Sequence, residues 1–349
     1  MKYKIEYLKM THGQSGGLLK NNTKYNKIKE LGVGMTCTVY LVEDETKNKY
    51  AMKVEHILKK QIEKSFKYDL WRELEFQSVM YNKYPNHFMK IHDNWIDNKC
   101  DHKQDWSKIG LDLESFDEAS QKFYKNLFSS PFCSIKIYSL VDITLRDLVE
   151  QNKLNEKQYH DIFIQCLYIM FLCNENGYLH RDWKMDNIGL TKTGNKFINI
   201  FGYQIMTHGY QVILLDYGAI VHKKYILSSY EKKLFTDSKT DLFFMFDRYR
   251  HNMIFNFKDF EDKYKVDTFN SISINEKTKK EIEQYLPKKD STLEQYVYKL
   301  LYYEDYEEQL IGDKIKCVPP KLFLPLDDIK YLIKNIYDIK KCILFLVSY

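Results

Sequence analysis

The chain has 349 residues, 44% of them apolar, 29% charged and 15% aromatic, a globular balance that excludes a disordered chain. That length suits one large two-lobed domain or two ordinary ones. The net charge of +5 is spread along the chain and not gathered into a tail, so it makes no case for nucleic acid as a partner.

Residues 1–24, with Gly13, Gly16 and Gly17 close to Asn21-Asn22-Thr23, read as a flexible leader, and the folded domain is expected over 25–349. From Tyr25 to Val54 the pattern turns to short β-type runs. Val39–Val42, a turn over Asp44–Asn48 and Tyr50–Val54 predict a hairpin. Leu70, Leu74 and Val79 or Met80 recur at helical spacing and predict a helix over 69–81. Phe88–Trp95 and Ile135–Leu140 are strand candidates. The polar stretch 97–132 between them carries no motif and reads as an insertion, with helix around 113–127.

Thr144 opens a short helix with Asp147 three residues on, and Asn155 opens a longer one with Gln158 at the matching position. Gly177 ends the longer helix. Strand-like pieces follow at 188–191, 196–201 and 211–215. From about 241 the pattern is mostly helical, with loops near Pro287 and Pro319-Pro320. Strands early and helices late predict an α+β chain, with a small β-rich lobe (about 25–142) and a larger helical lobe (about 143–349).

The seven cysteines (Cys37, Cys100, Cys133, Cys166, Cys173, Cys317 and Cys342) are scattered and form no Cys-x-x-Cys pair. The sequence therefore suggests neither a zinc site nor a disulfide framework, and it fits a reducing, cytoplasmic setting. Cys166 and Cys173 share a helix face and are expected in the core. No signal peptide is visible. The longest apolar runs, 166–173 and 342–349, are about half the length that crosses a bilayer, so no membrane partner is expected.

Four segments carry the chemistry. Leu31-Gly32-Val33-Gly34-Met35-Thr36-Cys37-Thr38-Val39 is a glycine turn that could bring backbone N–H groups close to phosphates, although Cys37 stands where a third glycine is usual. In Ala51-Met52-Lys53 a strand Lys points one cation to one face, where it could hold the α- and β-phosphates of ATP. A buried Lys needs an acid, and Glu73 or Glu75 on the following helix could supply it. Glu73 is favoured because it lies between Leu70 and Phe76 on the apolar side.

In His180-Arg181-Asp182-Trp183-Lys184-Met185-Asp186-Asn187, Asp182 can take a hydroxyl proton, Lys184 can neutralise a moving phosphoryl group and Asn187 can hold Mg²⁺. In Leu214-Leu215-Asp216-Tyr217-Gly218, an Asp at a strand end is placed to ligate Mg²⁺. Asp241, in Thr240–Phe246, could cap an apolar helix or bond the backbone of the 180–187 loop.

These motifs, in this order over about 25–246, resemble the eukaryotic-type protein kinase superfamily. The resemblance implies a bilobal fold, ATP and Mg²⁺, and a protein substrate. Asp182-Trp183-Lys184 resembles the Ser/Thr branch, and Asp216-Tyr217-Gly218 is similar to vaccinia-related and haspin-type kinases. Tyr203–Tyr210 resembles divergent kinases of large DNA viruses. The resemblance also implies a hinge near Ser139–Asp142, with Leu140 among the nucleotide-binding residues, Tyr138 as gatekeeper, Gly189 beneath the adenine and a packed structural role for His180.

Two spacings depart from the family. Asn187 to Asp216 is long, which predicts an extra hairpin. Asp216 to Asp241 is short and lacks Ala-Pro-Glu, which predicts a rebuilt activation segment. Ser228, Ser229, Tyr230 and Thr236 are the possible phosphate acceptors there for Arg181 to meet.

Overall fold

Alternation of side chains builds the first sheet. In the computed structural model, which describes residues 23–151, 153–225, 228–236, 241–242, 255–256, 321–322, 324 and 326–348, β1 (Asn26–Val33), β2 (Cys37–Glu43) and β3 (Lys49–Ile57) run antiparallel. The β2–β3 turn is fixed by one carboxylate: Asp44 accepts from the Thr46 and Asn48 amides at 2.8 and 2.9 Å and from the Tyr50 hydroxyl at 3.0 Å. These bonds outweigh the effect of burial and bring the Asp44 carboxyl down to about 2.

β4 (Ile91–Asp97) and β5 (Phe132–Tyr138) complete five strands in the order β1-β2-β3-β5-β4. One face carries Val42, Met52, Val54, Cys133 and Ile137 into a core. Period 2 therefore sends Lys53, Glu55, Ser134, Lys136 and Tyr138 to the other face. α1 (Asp69–Lys83) packs Leu70, Trp71 and Leu74 against Ile57.

The strand expected from Phe88 begins only at Ile91, because the turn around Pro85 continues past the helix end (His87 N–H to Tyr84 O, 3.0 Å). Phe88 makes an isolated bridge to Leu214 instead. The 97–132 segment is not a plain loop. Asp105, Asp112 and Asp117 each accept an amide at the start of a helical piece, at Trp106–Ile109, Leu113–Ser115 and α2 (Glu118–Phe128). Trp106 is the hub of a small aromatic cluster with Phe116, Tyr124 and Phe128.

Contrary to the reading of the cysteines, Cys100 and Cys133 are joined as a disulfide. They lie 33 residues apart, so no local motif announces the pair. Only the pairing of β5 with its neighbours brings them together.

These elements, with residues 213–225, form one compact unit. Residues 143–212 and the described residues from 228 onward form a second. The second unit opens with β6 (Ile143–Thr144) and α3 (Leu145–Glu150), whose first turn is capped by Thr144. α4 (Glu156–Glu175) starts with a reciprocal Asn155–Gln158 capping box and ends before Gly177, which sits at φ 78°. Cys166 and Cys173 are fully buried in it, and α7 (Ile339–Leu346), preceded by α6 (Leu326–Lys334), packs against it.

β7 (Tyr178–Leu179) leads into the 180–187 loop. β8 (Ile188–Lys192) lies between β6 and β11 (Tyr210–Leu214), whose first residues belong to this unit. Between β8 and β11 stands the expected extra hairpin, β9 (Phe197–Ile200) with β10 (Tyr203–Met206). Its two turn residues, Phe201 and Gly202, both take positive φ, 52° and 92°, as a two-residue hairpin with right-handed twist requires. A bulky residue disfavours that conformation, and the Phe201 ring is held edge-on to Tyr168 and Phe171 of α4. α5 (Ser229–Thr236) follows in the short segment before Asp241. Residues 1–22 of the leader expected over 1–24, the apolar run from Phe243 and the loops at Pro287 and Pro319-Pro320 lie outside the described residues. No described helix is long and apolar enough to cross a membrane.

Candidate functional site

The sequence-predicted residues fall into two sets, one within each unit. In the first, Lys53 stands on β3 with 6% of its surface exposed. Its Nζ donates to Glu73 Oε1 at 3.3 Å and to Asp216 Oδ1 at 2.8 Å. Burial opposes the charge, but Asp216 and Glu73 outweigh it and hold the Lys53 pKa well above its ordinary value. Glu73 is sealed from solvent, while the Asp216 side chain keeps 43% exposure and so can meet a cation from solution. Glu75 faces elsewhere and accepts from the Tyr225 hydroxyl at 2.5 Å.

Three residues of this cluster were not foreseen as its members. Lys136, directly opposite Lys53 in the sheet register, is 1% exposed. Two lysines facing each other would repel, and Glu73 resolves this by accepting from Lys136 through Oε2 and from Lys53 through Oε1. Lys136, then Lys53, depress the Glu73 carboxyl against the effect of burial. The Tyr138 hydroxyl adds a third bond to Glu73 at 2.9 Å. Glu55 lies 3.3 Å from Lys136. The only signal for Lys136 was its alternation with Tyr138 on β5, which has meaning once the register is known.

Asp216 has φ 47°, a conformation L-residues other than Asn and Asp rarely adopt, and its Oδ1 accepts from the Gly218 amide at 3.3 Å. Tyr217 anchors the turn. It is 1% exposed, packs on Phe76, donates to Leu214 O at 2.6 Å and accepts from the Met89 amide at 3.1 Å.

The glycine turn joins β1 to β2. Leu31 and Gly32 are exposed; Val33, Gly34, Cys37, Val39, Ala51 and Leu140 are half-buried. Gly34 N–H donates to Cys37 O at 2.8 Å, and a Cβ on Gly34 would stand 3.2 Å from Cys37 Sγ. Burial pushes the Cys37 thiol up to about 12. The insertion braces this turn from outside. Gln104 Nε2 donates to Gly34 O, and to Cys37 O at 3.4 Å; Trp106 Nε1 donates to Met35 O at 2.6 Å. Nothing in the sequence pattern pointed to Gln104 or Trp106.

In the second unit, Asp182, Lys184 and Asn187 come together. Asn187 Nδ2 donates to Asp182 O at 2.8 Å and to Asp182 Oδ2 at 2.7 Å, and Lys184 Nζ lies 3.1 Å from the same Oδ2. That leaves Asp182 Oδ1 to accept a proton and Asn187 Oδ1 to meet a cation. Arg181 sits at φ 66°, at a cost of about 1–2 kcal/mol for a non-glycine residue. Asp241 offsets it: its fully buried carboxylate accepts the His180 amide at 2.8 Å and the Arg181 amide at 2.9 Å. Burial pushes the Asp241 carboxyl above its ordinary range, against these bonds. His180 is fully buried beside Trp183. Arg146 on α3 holds Asp186, with Nη2 2.8 Å from Oδ2. In the segment before Asp241, Ser228 Oγ caps α5 by accepting the Glu231 amide at 3.0 Å.

The first set can hold negative charge against a fixed, buried cation. The second can take a proton beside a cation. No protein-family model matches the chain. A local stretch of 59 residues is 37% identical to NUAK family SNF1-like kinase 2 of Rattus norvegicus. The stretch is 17% of this chain and spans only about 9% of that protein's length. The likeness to a kinase is thus confined to that stretch, in a chain whose described residues form a mixed α/β structure with a five-stranded sheet and several helices.

Proposed function

We propose that the chain is a protein kinase that transfers the γ-phosphoryl group of ATP to Ser or Thr hydroxyls of protein substrates. The observation that carries this reading is Lys53, a buried cation held at one point by Glu73 and Asp216. In this reading Lys53 binds the α- and β-phosphates, and the Gly32–Cys37 turn covers them. Asp216 in the first unit and Asn187 in the second each offer a hard oxygen donor that would suit Mg²⁺, and the ion would supply positive charge to neutralise the phosphates in transfer. Asp182 Oδ1 accepts the acceptor hydroxyl's proton as that oxygen attacks the γ-phosphorus and ADP leaves. Lys184 stabilises charge on the moving phosphoryl group. Rate comes from positioning and fixed charges, without a covalent enzyme intermediate.

Lys184, two residues after Asp182, supports Ser/Thr acceptors. The short 216–241 segment supports a different presentation of the substrate from the usual one. We set Asp216-Tyr217-Gly218 with the vaccinia-related and haspin-type kinases and Tyr203–Tyr210 with kinases of large DNA viruses on the sequence resemblance alone, and the protein inside the cell on its scattered cysteines. Labelled ATP, offered with mixed proteins and with small alcohols, tests the reading. Label on protein Ser/Thr supports it, and label only on small molecules contradicts it. Nucleotide binding without turnover would make the chain a nucleotide-binding scaffold instead.

A further inference from the structure

We propose that His56, Cys100 and Cys133 form, in the reduced protein, a binding site for a thiophilic divalent cation, with zinc as its natural occupant. His56 Nδ1 lies 3.8 Å from Cys100 Sγ and 3.9 Å from Cys133 Sγ, and the three ligand atoms fall within 4.8 Å of one another. A tetrahedral ion with Zn–S of about 2.3 Å and Zn–N of about 2.0–2.1 Å sets sulfur and nitrogen about 3.6 Å apart. The nitrogen–sulfur spacings already have that scale.

The second observation is the orientation of the imidazole. His56 Nε2 lies 3.0 Å from the His102 carbonyl oxygen. An N–H donated there leaves the Nδ1 lone pair facing the sulfurs, the arrangement that backbone carbonyls commonly impose on metal-binding histidines. His56 and Cys133 face each other on β3 and β5 and are 3% and 1% exposed, so two ligands stand on rigid sheet. Cys100 comes from the loop after β4. A cavity of about 240 Å³, lined by Cys100, Asp101, His102 and Cys133 among others, gives an entry path and room for water as a fourth ligand. Two thiolates and an imidazole suit zinc better than magnesium or calcium.

The Cys100–Cys133 disulfide is the oxidised, metal-free state of the same site. A small disulfide such as oxidised glutathione interconverts the two. The metal-bound thiolates give up two electrons and form the Cys100–Cys133 bond, the oxidant leaves as two glutathione thiolates, and the cation is released. Either state closes the same 33-residue span, from which Gln104 and Trp106 reach the glycine turn. The site uses none of the residues assigned to phosphoryl transfer and stands apart from that reading.

The test uses the full chain, reduced with a phosphine and stripped of metal, and titrated with Co²⁺ and then Zn²⁺. We expect one Co²⁺ per chain, with thiolate-to-cobalt charge-transfer absorption that one Zn²⁺ displaces. Cys100→Ser and Cys133→Ser should each lose that absorption. His56→Gln should weaken binding at least tenfold, and prior oxidation with oxidised glutathione should abolish it. Because two of these positions are buried, the wild type is also alkylated with and without Zn²⁺ and mapped by mass spectrometry. Zn²⁺ should protect Cys100 and Cys133 selectively. No metal uptake by the reduced chain, uptake unchanged in both serine variants, or protection of other cysteines only would overturn the proposal.

Discussion

Glu73 is shared by two buried lysines, so losing one or the other should have separable effects. Removing one partner of a buried ion pair costs about 3–5 kcal/mol when the remaining charge is left alone. In Lys136→Met, Glu73 keeps Lys53 at 3.3 Å and the Tyr138 hydroxyl at 2.9 Å. The expected loss is therefore nearer the value of one hydrogen bond to a charged group, about 1.5–3 kcal/mol. In Lys53→Met, Glu73 keeps Lys136 and Tyr138, and water reaches the Asp216 side chain, which is 43% exposed. That loss should stay below about 1.5 kcal/mol.

Glu73→Gln takes the counter-charge from both lysines and should cost the most. Urea unfolding followed by tryptophan fluorescence reads the order, because Trp71, Trp95 and Trp106 all lie in this unit. ATP binding should fall in the opposite order, with Lys53→Met losing it and folded Lys136→Met retaining most of it. A Lys53→Met protein less stable than Lys136→Met, or a folded Lys136→Met protein unable to bind ATP, would refute the assignment of a structural and a phosphate-binding lysine.

Gln104→Ala removes the side-chain donor to Gly34 O and the second donor to Cys37 O, which keeps the Gly34 amide, and Trp106→Phe removes the donor to Met35 O. At about 1 kcal/mol per hydrogen bond, each should raise KM for ATP several-fold with kcat nearly unchanged; a fall in kcat alone would contradict the bracing role. Asp241→Ala leaves the buried His180 amide and the Arg181 amide without their carboxylate, at about 1–3 kcal/mol each. It should lower kcat at least tenfold while ATP still binds, and an unchanged kcat would remove Asp241 from the account. The Glu73 carboxyl is depressed below its unfolded value of 4.5, so its contribution is present above that pH and is lost as pH falls through the folded value. The stability gap between wild type and Glu73→Gln should accordingly close below about pH 4.5, and a gap that stays constant would show that the carboxylate charge contributes nothing.

Local signals survived translation into structure where they were covalently close. The Asp44 turn, the Thr144 and Asn155 caps, Gly177 and the β9–β10 hairpin each depend on residues within a few positions, and period alone gives the faces of β3 and the core position of Cys166 and Cys173. What stayed hidden depends on register between distant segments. Lys136 acquires meaning only opposite Lys53, and Cys100 meets Cys133 only through the sheet. Gln104 and Trp106 sit in a polar stretch whose composition resembles any surface loop, yet their side chains reach the glycine turn. Glu73 and Glu75 are two residues apart on one helix and both are buried. Their different partners, Lys53 and Tyr225, follow from which elements cover each side of α1.

The central claim, phosphoryl transfer through Asp182, is tested most directly by transfer from labelled ATP with wild type and Asp182→Asn side by side, alongside nucleotide binding for both. Wild type should label protein Ser/Thr. The variant, which keeps a side chain of the same shape without the proton-accepting carboxylate, should bind ATP with nearly the same affinity and transfer no detectable phosphate. Full transfer by Asp182→Asn, or no transfer to any acceptor by a wild type that binds ATP, would contradict it.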